Sequence, residues 1–209
     1  MVAPCQEGIP PMTHDGKRPL ILFVCCGNRE RSVIAENLFK KMLKKGYPDL
    51  SDRVDAASAG IFPRSYLEHA GENGVFFEEP FFSKKANTYA VDYLLKKGID
   101  VASYRSRRIN SGLVTDALLI LAVDRVIRDE ILFFYPEVQG RVHTLREFVF
   151  GPEGDLDIGD PMKLPVVDKD TGAWIWPDEY PVRYIKEIEE SLEKGMVKIV
   201  AYIMSEGMD

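Results

Sequence analysis

The chain has 209 residues, 45% of them hydrophobic and 29% charged, with a formal net charge of −6. That length fills one hydrophobic core and leaves little for a second. The acidic balance gives no general attraction to nucleic acid or to an anionic membrane, and no run approaches the roughly 20 apolar residues that span a bilayer. No nucleic-acid or membrane partner is expected, so any anion must be captured by a local site.

Residues 1–18 carry proline and glycine without an apolar core of signal-peptide length, and read as a flexible arm before a single domain spanning 19–209. The continuous apolar run at 19–25 predicts a central parallel strand covered on both faces. Ile34, Leu38, Met42 and Leu43 then recur at helical spacing until Gly46 and Pro48 stop the pattern. Val54 to Ala59 predicts a strand ended by Gly60, and Ala86 to Lys97 a helix closed by Gly98. A second unbroken apolar run, Ala117 to Val123, is followed by a helix near Ile127 to Phe134. This alternation predicts an α/β protein with a parallel sheet. Residues 61–85 and 151–181 lack periodicity and are expected to be long loops, the first with Phe76, Phe77, Phe81 and Phe82 available to rim a pocket. From Pro181 to Met204, the spacing of Ile185, Ile188, Leu192 and Met196 predicts a long amphipathic helix.

Three cysteines, two of them adjacent, make no disulfide framework for a chain of this size, which points to a reducing, cytoplasmic compartment. The histidines His14, His69 and His143 are far apart and form no ligand-spaced cluster, so neither a metal nor another cofactor is expected.

The chemistry concentrates in ILFVCCGNRERS, residues 21–32. A strand ends on Cys25, a short loop follows, and Arg31 and Ser32 open a helix. Backbone amides, a helix N-terminus and a guanidinium then surround one point, as a tetrahedral oxyanion requires. Cleaving a phosphate monoester needs a soft anionic nucleophile, donors for the equatorial oxygens, and a proton for the leaving group. Cys25 suits the first, since thiols near cations and helix N-termini ionise readily; the competing reading is a buried core thiol. The amides of Cys26, Gly27, Asn28, Arg29 and Glu30, with the Arg31 guanidinium, suit the second as substrate-binding groups. Ser32 is placed to donate to the cysteine sulfur, or else to cap the helix. Asn28 tolerates left-handed backbone and can brace the loop. The acid must come from elsewhere.

FVCCGNRERSVIAENLF resembles the signature of the low-molecular-weight protein tyrosine phosphatases, Val-Cys-x-Gly-Asn-x-x-Arg-Ser-x-x-Ala-Glu. Ser58-Ala59-Gly60 resembles the end of that family's second strand, Arg107 the arginine after its second helix, Asp124 the aspartate ending its third strand, and Asp160-Pro161 its acid loop. The resemblance implies a doubly wound three-layer α/β sandwich with a small four-stranded parallel sheet. It also implies metal-free, two-step hydrolysis of a phosphotyrosine protein or small aryl phosphate through a cysteinyl-phosphate. Cys25 would attack, Asp160 would serve as general acid and then base, Arg31 and Ser32 would complete the catalytic set, and Ser58 would support the loop. Asp155 and Asp157 compete with Asp160, which alone precedes proline.

The chain departs from the pattern at Glu30, where the family commonly has a second cysteine able to protect the nucleophile; Glu30 is expected to face solvent or pair with a basic group. Met162 and Lys163 stand where eukaryotic members often place tyrosines that wall the substrate ring. Trp174, Trp176 or Tyr180 from the same long loop offers a replacement wall, though core packing or a partner surface is the favoured use of these aromatics. Two other readings are arsenate reduction on the same fold, for which Cys5, Cys25 and Cys26 offer a poor internal relay, and a catalytically idle phosphate-binding module.

Overall fold

In β1 (Leu20–Cys25), Ile21, Leu22 and Val24 have no solvent exposure, so both faces of the strand are covered and its backbone must be paired on both edges. The pairing is parallel on each side, with β2 (Asp55–Gly60) and β3 (Ala117–Ala122), and β4 (Val142–Thr144) extends the sheet beyond β3. The order is β2-β1-β3-β4. The computed structural model describes residues 17–65, 82–160, 166–167, 174–175 and 180–206.

Helices flank this sheet, giving the doubly wound α/β sandwich expected from the sequence. α1 (Arg31–Gly46) follows β1 and packs against α7 (Tyr180–Glu206), which buries Tyr184, Ile188, Leu192, Ile199 and Ile203. A short α2 (Pro48–Ser51) leads into β2, and α3 (Thr88–Lys96) lies beside α1. α4 (Ser111–Asp116) precedes β3, and α5 (Arg125–Phe134) follows it. A 3-10 turn (Pro136–Arg141), β4 and α6 (Leu145–Phe150) complete that side. Within the segment expected to be a structureless loop, β5 (Val166–Val167) pairs antiparallel with β6 (Trp174–Ile175). The short elements α2, α4, β4 and α6 have too few residues to show a period in sequence.

The strand order reverses beside β1: the chain leaves β1 for β2 on one side and returns to β3 on the other. Open α/β sheets bind ligands in the crevice at the carboxyl end of such a switch point. Cys25 is the last residue of β1, in register with Gly60 at the end of β2. Residues 1–16 of the expected arm, Phe76, Phe77 and Phe81, and Met162, Lys163 and Trp176 lie outside the described residues. None of the described helices is long and apolar enough to cross a membrane.

Candidate active site

The loop between β1 and α1 is held in shape by Asn28, which is fully buried with φ of 50°. Few residues other than glycine adopt this left-handed backbone, and asparagine does so at low cost. Its side-chain orientation follows from its partners. The backbone N–H of Arg107 donates to one amide atom at 2.8 Å, so that atom is the oxygen, and the Tyr104 hydroxyl donates to it as well, at 2.5 Å. The amide nitrogen therefore faces Ser32 and donates to its Oγ at 3.0 Å. Ser32 Oγ in turn lies 3.0 Å from Cys25 Sγ, where its hydroxyl can donate to a thiolate. The backbone N–H of Asn28 reaches the same sulfur at 3.2 Å. The Ser32 hydroxyl and the Asn28 N–H thus converge on Cys25, which is 3% exposed. Ser32 is not a helix cap: α1 begins one residue earlier.

Behind Asn28 the network continues through the sheet. Ser58 Oγ lies 3.1 Å from the Tyr104 hydroxyl and donates to Glu36 Oε2 at 2.5 Å, while Arg107 Nε donates to the Ser58 carbonyl at 2.8 Å. Ser58 reaches the loop through Arg107, which takes the Ser58 carbonyl with its side chain and Asn28 with its backbone N–H, and Ser58 also lies beside Tyr104. Burial pushes the Tyr104 hydroxyl above its usual range, so it keeps its proton and remains the donor to Asn28. Glu36 closes the signature run that opens on Val24, whereas Tyr104 had no motif to mark it in the sequence.

Arg31 is 3% exposed, and three oxygens hold it. Nη1 donates to Asp124 Oδ2 at 2.9 Å and to the Ile158 carbonyl at 3.2 Å, and Nη2 lies 3.4 Å from Asp160 Oδ2. Burial opposes the Arg31 charge, but the Asp160, Cys25 and Asp124 charges outweigh it and push its already high pKa further up. Asp124 does a second job with its other oxygen, accepting the Ile127 N–H at 2.8 Å to cap α5. The competing aspartates separate clearly. Asp157 takes Arg125 Nη2 at 2.8 Å, the exposed Asp155 carboxylate accepts the nearby Asp157 N–H at 3.3 Å, and of the three Asp160 alone is buried beside Arg31.

Glu30 corrects one expectation. It is half-buried and accepts the hydroxyl of fully buried Tyr184 instead of facing solvent or a cation. Burial raises its carboxyl above the ordinary range, partly offset by Tyr184 and Arg31. Below the unfolded-state value the group is protonated in both states and costs nothing; as pH rises through the raised folded value, the desolvated carboxylate weighs against folding. The midpoint difference between Glu30→Gln and the parent is therefore expected to grow in favour of the glutamine from about pH 4 upward, by thermal unfolding across pH. Next to Cys25, burial and then the Cys25 charge push the Cys26 thiol far up.

Gly60 closes the site from the side. A Cβ there would sit 2.5 Å from the Cys26 carbonyl oxygen, 3.0 Å from the Asn28 nitrogen and 2.8 Å from Phe82. Two of these are backbone atoms of the loop itself. Gly60→Ala is expected to cost about 1–3 kcal/mol of stability and at least about tenfold in kcat/KM, checked by unfolding and steady-state kinetics. Among the described residues no cluster of His, Cys, Asp or Glu is spaced to hold a metal ion.

A parallel strand ending on a cysteine, an amide-lined loop and a helix opening on a buried arginine define an oxyanion-handling α/β protein. The sequence model for "Low molecular weight phosphotyrosine protein phosphatase" matches residues 20–201, and the chain belongs to that family of phosphatases. A protein-arginine-phosphatase of Geobacillus stearothermophilus is 32% identical over 146 residues, covering 70% of this chain and 80% of the relative. A probable low molecular weight protein-tyrosine-phosphatase, EpsP, of Ralstonia nicotianae is 28% identical over 164 residues, covering 74% of this chain and 92% of EpsP. Among solved structures, the arginine phosphatase YwlE, as a cysteine-to-serine mutant with a phosphorylated active site serine, superposes with a TM-score of 0.63 at 25% identity, covering 87% of this chain and 95% of that one.

Proposed function

We propose that this phosphatase hydrolyses phosphorylated protein side chains, phosphotyrosine first among them, through a cysteinyl-phosphate. The observation that carries the reading is the convergence on one point of Cys25, its two donors, and an Arg31 guanidinium bridged to Asp160. Cys25 Sγ attacks phosphorus as the bond to the leaving oxygen breaks, and Asp160 gives that oxygen its proton. The Arg31 guanidinium and the loop amides take the equatorial oxygens. The 3.4 Å contact to Asp160 is the weakest of Arg31's contacts and the one a phosphoryl group would loosen, freeing the carboxyl to face the leaving group. In the second half, Asp160 takes a proton from water as its oxygen attacks phosphorus, and the sulfur departs with the Ser32 proton against it. The phosphorylated serine of the YwlE mutant supports an enzyme-bound phosphoryl group of this kind.

Asp160→Asn is the direct test. It is expected to lower kcat on p-nitrophenyl phosphate by about 10²- to 10³-fold with little change in KM. Retention of parental kcat would remove Asp160 from the mechanism.

A second reading, phosphoarginine, is favoured by the 32% identity to a protein-arginine-phosphatase. The chemistry at Cys25 is the same, with a guanidine as leaving group. Matched phosphotyrosine and phosphoarginine peptides compared by kcat/KM decide between them, the larger value naming the substrate.

A further inference from the structure

Two contacts made by α7 fall outside the reacting centre. The Tyr184 hydroxyl donates to Glu30, the residue directly before Arg31 in the anion-binding loop. One turn on, Glu187 Oε2 accepts the backbone N–H of Gly159, directly before Asp160, at 3.0 Å. Residues three apart share a helix face, so a single face of α7 touches both functional segments at the residue next to each key side chain. We propose that Tyr184 and Glu187 are positioning residues that form a clamp: α7 holds the loop through Glu30 and the acid segment through Gly159, and so fixes the separation of Cys25 from Asp160. This rests on the phosphatase reading above.

The physical case has three parts. Tyr184 is fully buried, and burial with the neighbouring Glu30 charge pushes its hydroxyl far above the usual range, so it stays a donor at any working pH. Glu187 is itself held, its Oε1 taking Arg183 Nε at 2.9 Å, which orients Oε2 toward Gly159. The other bridge between loop and acid segment runs through Arg31, which contacts the Ile158 carbonyl and Asp160. An incoming phosphoryl group competes for that guanidinium and weakens the bridge when alignment matters most, whereas the α7 contacts involve no group the phosphate needs. A one-ångström error in placing an acid is enough to cost a large factor in rate.

The test compares Glu187→Ala, Glu187→Gln and Tyr184→Phe in the full chain, on phenyl phosphate and p-nitrophenyl phosphate. Phenol is the poorer leaving group and depends more on the Asp160 proton. Glu187→Ala is expected to lower kcat/KM on phenyl phosphate about tenfold and on p-nitrophenyl phosphate about twofold, and Glu187→Gln, which keeps an oxygen for Gly159, to restore both. Tyr184→Phe is expected to raise the inhibition constant of inorganic phosphate about threefold or more. Equal losses on the two substrates, no restoration by glutamine, or an unchanged phosphate constant overturns the clamp. Absence of Cys25-dependent turnover in the parent protein is a failure of the phosphatase reading alone. The clamp is then decided by hydrogen exchange at the Gly159 amide, slow in the parent and Glu187→Gln and fast in Glu187→Ala; equal rates in all three overturn it.

Discussion

Cys25→Ser is expected to abolish turnover, lowering kcat by at least about 10⁴-fold, while unfolding and phosphate affinity stay near those of the parent. The substitution changes one atom. Cys25 is buried at the end of β1, where its sulfur meets the Ser32 hydroxyl and the Asn28 N–H. A serine oxygen can accept both of these bonds, so the loop has no reason to rearrange. What is lost is the nucleophile: at neutral pH a hydroxyl is almost wholly protonated, and no described base faces it in the way Ser32 faces the sulfur. Separating kcat from the phosphate inhibition constant is the decisive measurement. Parental kcat would show that the phosphoryl group never passes through Cys25, and lost phosphate binding with lost activity would indicate a damaged loop.

Arg31→Lys is expected to be nearly as severe, with a fall of about 10³-fold in kcat/KM and a loss of about 2–3 kcal/mol in stability. Lysine keeps the charge but not the fork. Arg31 reaches Asp124, the Ile158 carbonyl and Asp160 with donors on two nitrogens. One ammonium cannot span these acceptors, so at least one buried carboxylate is left without its partner. Asp124 also caps α5, so the disturbance extends to the helix after β3. Steady-state kinetics with denaturant unfolding separates the two effects, and a variant within about threefold of parental kcat/KM would show that the guanidinium geometry is not used.

The residues proposed to handle the anion were legible as a group because that chemistry dictates residue type and spacing together. A strand ending on Cys25, a loop tolerating left-handed Asn28, and Arg31 with Ser32 at the helix start leave few alternatives, and the apolar runs of β1 and β3 announce a covered parallel sheet. Asp160 was separable from Asp155 and Asp157 only by the proline after it, and the structure adds the reason in space: it alone reaches Arg31. Glu30 was misread because a carboxylate beside an anion site is expected to turn outward, and nothing in the sequence places Tyr184 opposite it. Tyr184 and Glu187 look like ordinary positions on an amphipathic helix, and their partners lie more than a hundred residues back or in another segment. Such contacts arise from the docking of α7 against α1 and α6 and leave no local pattern.

The adjacency of Cys25 and Cys26 has a practical consequence. Desolvation holds Cys26 in its thiol form, so it offers an alkylating reagent no charge. Although the two sulfurs belong to consecutive residues, the part of haloacetamide uptake that phosphate protects should count functional sites one per chain, and Cys5 falls outside that part. The silent neighbour turns the loop into its own active-site titrant.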